Sequence, residues 1–248
     1  MLIGTAGPAQ KLIVQLWNQS EIVGYLKYGE TAAAKDHIIR EAGILKGLPS
    51  GLGPTLLKCG PLKNGLALVL TAVHGQPINA QLPVEDKILL LLETFRITAP
   101  LPFWEHPWIT KVKANIPSKI CLTSLAGRKW PVVFHHGDFA PWNILSRPDG
   151  SLGVIDWEYG TDEGFPFLDF VFFVLQVGRL IYRWPPQKAK CYSIKALSLH
   201  RTWNITEDQA KTLVCLCAYH TYSKALPGND ATYYESQDWW RAVWNNKT

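Results

Sequence analysis

The chain has 248 residues, 47% of them hydrophobic, and 25 Lys and Arg against 20 Asp and Glu give a formal net charge of +5. This length suits one large domain or two small lobes around a cleft, and the scattered basic excess excludes the clustered basic face of a nucleic-acid binder. Five Cys residues, an odd number without C-x-x-C spacing, exclude a disulfide framework and a zinc site, and reduced thiols point to the cytoplasm.

In chain order, Gly4-Thr5-Ala6-Gly7 precedes an apolar run, Leu12 to Trp17, that reads as a strand. Ile22 to Lys27 is a second strand. Thr31 is a plausible N-cap for a helix over Ala32 to Lys46, which Gly47 and Pro49 stop. Ile38, Ala42 and Leu45 define the inward stripe of that helix, and Glu41 borders it. A carboxylate there is costly unless it meets a cation, and Lys27 is the natural candidate; two unrelated surface charges are the competing reading. Leu66 to Leu70 is a third strand, followed by Thr71-Ala72-Val73 and His74-Gly75. The chain changes character at Gly75, so 1–74 is expected to form a β-rich lobe and 75–248 a mostly helical one, an α+β fold. Helices are expected over Val84 to Phe95, Phe167 to Tyr182, Thr206 to Ser223 and Tyr233 to Trp244. The stretch Phe165 to Tyr182 is the most apolar, but Asp169, Gln176 and Arg179 interrupt it, so a buried core helix is expected and not a membrane span. Met1 to Gln10 lacks the charged and apolar regions of a signal peptide.

The most informative stretch is His135-His136-Gly137-Asp138, continuing to Asn143-Ile144-Leu145, with Val154-Ile155-Asp156-Trp157-Glu158 after it. Between them, Arg147-Pro148-Asp149-Gly150 is a turn flanked by short apolar runs, which predicts a hairpin over Ile144 to Ile155. A turn centred near Asp149 puts Asn143 almost opposite Asp156. Two carboxylates and a carboxamide converging on one cleft would repel unless a cation joined them, and such oxygen ligands suit Mg²⁺. Ordinary turn and cap roles would explain any one of these residues alone.

H-G-D-x-x-x-x-N followed by I-D-W-E resembles the aminoglycoside phosphotransferase and choline kinase superfamily, which shares the bilobal protein-kinase-like fold. The resemblance implies ATP and Mg²⁺ as cofactors and phosphoryl transfer to a hydroxyl on a small molecule. It implies that Asp138 orients the acceptor hydroxyl and takes its proton, that Asn143 and Asp156 hold the metal ions, and that His136 fixes the loop. By the same plan, Glu41 positions Lys27 against the phosphates. Gly4, Thr5 and Gly7 would form the turn over the phosphates, and Thr71, Ala72 and Val73 the hinge that meets adenine. Gly164-Phe165-Pro166-Phe167-Leu168-Asp169 also resembles the family, and implies that Asp169 braces the catalytic loop.

The acceptor is less legible. Eleven Trp include candidates for a platform under a sugar ring or a cation, although core packing is the default role. A sugar, glycan precursor, amino alcohol or aminoglycoside-like molecule fits the pattern. Neither a nucleic acid nor an obligate protein partner is indicated. A nucleotide-binding scaffold without turnover is the alternative. A protein kinase is disfavoured because D-F-G and A-P-E are missing and a helix follows Asp156 quickly.

Overall fold

The apolar runs at the start of the chain form antiparallel strands in the computed structural model, which describes residues 2–3, 7–200, 202–224 and 231–245. Strands β1 (Leu2–Ile3), β2 (Leu12–Asn18) and β3 (Glu21–Gly29) lead into helix α1 (Ala32–Gly47). Strands β4 (Leu56–Leu62), β5 (Gly65–Thr71) and β6 (Gln76–Pro77) follow. The first five strands make one sheet in the order β1-β2-β3-β5-β4, antiparallel throughout. Lys27 sits in its middle strand, opposite Ile13 on one side and Leu68 on the other.

Thr31 starts α1 as expected, its Oγ1 accepting from the Ala34 N–H at 3.1 Å. The inward stripe of Ile38, Ala42 and Leu45 is buried, together with Leu68 and Leu70 of β5, on which the helix packs. Full burial of a side chain such as Ile38 or Leu68 contributes about 1.5–3 kcal/mol. Strand β4 departs from the sequence expectation, which has no strand between Gly47 and Leu66. It lies at the sheet edge, and its Leu57 and Leu62 are exposed. An edge tolerates Pro61, which a central strand would not.

The chain continues through α2 (Asp86–Glu93), β7 (Leu101–Pro102), α3 (Pro107–Val112), α4 (Thr123–Ala126), β8 (Lys129–Trp130) and β9 (Val133–His135). The expected hairpin comes next, as β10 (Ile144–Ser146) and β11 (Leu152–Val154). After β12 (Thr161–Gly164) come α5 (Leu168–Gln176), α6 (Pro186–Ser198), α7 (Glu207–Lys224) and α8 (Ala231–Asn245). Helix α6 was not expected: its buried positions Ala189, Lys190, Ser193, Ile194 and Leu197 keep helical spacing, but two of them are polar.

The chain divides into two compact units, Met1–Asn79 with His136–Asp162, and Ala80–His135 with Glu163–Thr248. The first break falls close to Gly75, and the hairpin segment returns to the first unit. Hydrogen bonds explain the return: Leu145 of β10 pairs with Pro77 of β6, and Val154 N–H donates to the Leu52 carbonyl at 2.7 Å. In the second unit, Phe103, Trp108, Ile109, Leu125, Trp130 and Phe165 are buried. Helix α5 is buried at every position from Leu168 to Leu175 and packs on α7. Among the described residues, no helix is long and apolar enough to cross a membrane.

Candidate active site

The hairpin turn closes as its sequence predicts. Gly150 N–H donates to the Arg147 carbonyl at 2.9 Å, and Asp149 Oδ1 accepts from the Ser151 N–H at 2.9 Å. The strands then run in the register Ile144↔Val154. Ile155 N–H donates to the Asn143 carbonyl at 2.9 Å. Asp156 is therefore one residue beyond the partner of Asn143, at the open end of the hairpin. Its φ of +67° is a left-handed backbone that a non-glycine residue holds only when its surroundings impose it.

The loop before the hairpin is held from within. His136 Nε2–H donates to the Ile155 carbonyl at 2.8 Å, and His136 Nδ1 accepts from the Asp138 N–H at 3.2 Å. Burial pushes the His136 pKa down to about 4, so the ring is neutral and these two bonds fix its tautomer. Gly137 has φ +80°, and a Cβ there would lie 2.7 Å from the Tyr159 carbonyl oxygen. Only glycine makes this turn without strain. Gly137→Ala is expected to lower the unfolding free energy by at least about 1–3 kcal/mol, read by urea denaturation.

Asp138 receives its closest partner from Asn143, whose Nδ2 donates to the Asp138 carboxylate at 3.0 Å and to its carbonyl at 2.9 Å. That assignment leaves Asn143 Oδ1 as the oxygen it can offer to a cation. Burial, reinforced by the negative charge of Asp156, raises the Asp138 carboxyl to about 7, despite the opposing bond from Asn143. A carboxylate poised near neutrality is suited to taking a proton from a reacting hydroxyl.

Lys27 joins three distant parts of the sequence. Its Nζ donates to Glu41 Oε1 and Oε2 at 2.7 and 2.8 Å and to Asp156 Oδ1 at 2.6 Å. Burial alone would lower the Lys27 pKa, but Glu41 and Asp156 together raise it, so the ammonium stays charged. Burial pushes Glu41 up, partly offset by Lys27. Burial also opposes ionisation of Asp156, but the Lys27 ammonium outweighs it and holds that carboxyl below its usual range.

Three further residues belong to this cluster. Carboxylate oxygens of Glu41, Asp156 and Glu158 lie within 4.8 Å of one another. Lys11, itself buried, forms an ion pair with Glu158, and His37 Nδ1 lies 3.5 Å from Glu158 Oε1. Lys11 carries no signal in the sequence beyond its place before an apolar strand. Three carboxylates (Glu41, Asp156 and Glu158) thus face two ammonium groups, those of Lys11 and Lys27. The excess negative charge and the all-oxygen donor set fit a hard divalent cation such as Mg²⁺.

Of the remaining expected residues, Gly4 and Thr5 lie outside the described residues. Gly7 is exposed, and its carbonyl accepts from the Gln10 N–H at 3.1 Å in a turn. Thr71 and Ala72 N–H groups donate to the Thr55 and Val23 carbonyls, both at 3.0 Å, so these amides serve the sheet. Val73 follows them without a regular element. Asp169 is buried at the start of α5, with its carboxylate 3.3 Å from His135 Nε2.

Residues 89–188 match the model of the phosphotransferase enzyme family. The match spans Asp138, Asn143, Asp156 and Asp169, the stretch that carries the resemblance to aminoglycoside phosphotransferases. It leaves out Lys27 and Glu41, which come to Asp156 through the fold. No curated protein matches the chain. Among solved structures, an aminoglycoside phosphotransferase from Streptomyces rimosus is 16% identical, with 77% of this chain and 86% of that one covered and a TM-score of 0.44. The same enzyme with ADP and streptomycin is 16% identical, with 90% and 88% covered and a TM-score of 0.43. An aminoglycoside-3'-phosphotransferase of type VIII is 16% identical, with 96% and 90% covered and a TM-score of 0.39.

Proposed function

We propose that the protein is an ATP- and Mg²⁺-dependent phosphotransferase that moves the γ-phosphoryl group to a hydroxyl of a small molecule. The observation that carries this reading is the Lys27 ammonium, bonded at once to Glu41 and to Asp156. It supports a lysine held in place to meet phosphate oxygens, beside an acid that can share a metal with them. Asp138 accepts the proton of the acceptor hydroxyl. That oxygen bonds to the γ-phosphorus as the bond from the γ-phosphorus to the bridging oxygen breaks, and ADP leaves with the electron pair. Asn143 Oδ1 and Asp156 would hold the metal, with Glu158 close enough to assist. Bound there, Mg²⁺ would offset charge on the phosphate oxygens. Positioning and fixed charge supply the rate in such a site.

Asp156→Ala is expected to weaken Mg-ATP binding by at least about tenfold, a loss of roughly 1.4 kcal/mol, in isothermal titration calorimetry. Unchanged affinity would contradict the metal role. The acceptor is a sugar, glycan precursor, amino alcohol or aminoglycoside-like molecule. A nucleotide-binding module without turnover is less well supported, because Lys27, Asp138, Asn143 and Asp156 are all present.

A further inference from the structure

We propose that the second compact unit carries a binding site for a small, flat aromatic anion, in a cavity whose lining includes none of Lys27, Glu41, Asp138, Asn143 and Asp156. The cavity measures about 250 Å³. Pockets for small molecules run to roughly 300–1,000 Å³, so this one suits a molecule of one or two rings. Phe165, Phe167, Phe170 and Trp203 contribute to its walls. The rings are set edge to face or tilted, with Phe170 4.8 Å and Phe167 5.0 Å from Trp203 between centroids. Such walls favour a planar aromatic guest.

The charges at the cavity select its sign. Arg96, Arg128 and Lys129 line it, against the carboxylates of Glu93 and Asp169. Asp169 is directed to His135 at 3.3 Å, and Glu93 is exposed. Among the described residues, none of the three cations has an ion-pair partner. Arg128 is nonetheless fixed in place, donating to the Trp203 and Asn204 carbonyls at 3.2 and 2.8 Å and lying 4.5 Å from the Trp130 ring centre. A planar guanidinium held this way can still present further N–H groups to a carboxylate.

A second observation marks the same place. Phe167 has φ +69°. A bulky side chain holds that backbone only when its surroundings over-determine it, and such strain gathers at ligand sites. The Phe167 ring lies beside that of Trp203, and both form part of the wall.

Indole-3-acetate, benzoate and tryptamine are suitable probes, followed on the full chain by two-dimensional ¹H–¹⁵N NMR and calorimetry. Indole-3-acetate and benzoate are expected to bind and to shift the Trp203 indole N–H, with tryptamine at least about tenfold weaker than indole-3-acetate. Arg128→Gln is expected to weaken indole-3-acetate by at least about tenfold. Lys129→Glu, at an exposed position that cannot disturb the core, is expected to weaken it in the same direction while Mg-ATP affinity is unchanged. Tryptamine binding as tightly as indole-3-acetate, a silent Trp203, indifference to Lys129→Glu, or failure of both acids to bind would overturn the proposal.

Discussion

Asp138→Asn is expected to cut phosphoryl transfer by about 10²–10⁴-fold while Mg-ATP affinity stays within a few-fold of the parent. The carboxamide keeps the shape of the side chain but cannot accept the hydroxyl proton. The same substitution carries a stability signature with a defined sign. The folded protein holds the Asp138 proton up to about pH 7, whereas the ordinary value is 3.8. The folded state is thus favoured at low pH, and that advantage drains away as pH rises from about 4 to about 7. The Asn variant has no such titration, so it should become more stable than the parent as pH rises. The gap would reach up to about 4 kcal/mol above pH 7. Urea unfolding at pH 5 and pH 8 measures it. A parent that is the more stable at pH 8 would show that burial does not strain this carboxylate.

Lys27→Met is expected to be the most damaging single change outside the catalytic loop. It leaves Glu41, 1% exposed, as a buried carboxylate without its ammonium. Breaking a buried pair from one side costs about 3–5 kcal/mol, because the remaining charge keeps its desolvation penalty. Mg-ATP affinity should fall as well, since the ammonium proposed to meet the phosphates is gone. The double variant Lys27→Met with Glu41→Leu separates the two effects. Removing both charges is often neutral for stability, so the double variant should unfold at higher urea than Lys27→Met alone yet bind Mg-ATP no better. Equal stability of the single and double variants would mean that Glu41 does not depend on Lys27.

Local features were the most legible in the sequence. The hairpin register followed from Pro148, Asp149 and Gly150, because turn chemistry acts over a few residues. Thr31 as N-cap and the stripe of Ile38, Ala42 and Leu45 followed from helical spacing for the same reason. Glu41 on that stripe correctly implied a buried cation partner, because burial of a lone carboxylate is so unfavourable. Other features depend on tertiary contacts and left no local mark. Lys11 meets Glu158 across 147 positions of sequence, and nothing around Lys11 distinguishes it from a solvated lysine. Strand β4 escaped notice because an edge strand needs no alternating pattern and accepts Pro61. Helix α6 escaped because Lys190 and Ser193 break its apolar stripe.

The central claim is that Lys27, Asp138, Asn143 and Asp156 together move phosphate to an alcohol. The most direct measurement incubates the protein with γ-labelled ATP, Mg²⁺ and pooled small metabolites, and identifies any labelled product by mass. A labelled phosphate ester of a hydroxyl compound, absent with chelator and with Asp138→Asn, is the expected result. A product that persists undiminished in Asp138→Asn, or no transfer to any alcohol across the pool from a protein that binds Mg-ATP, would contradict the account.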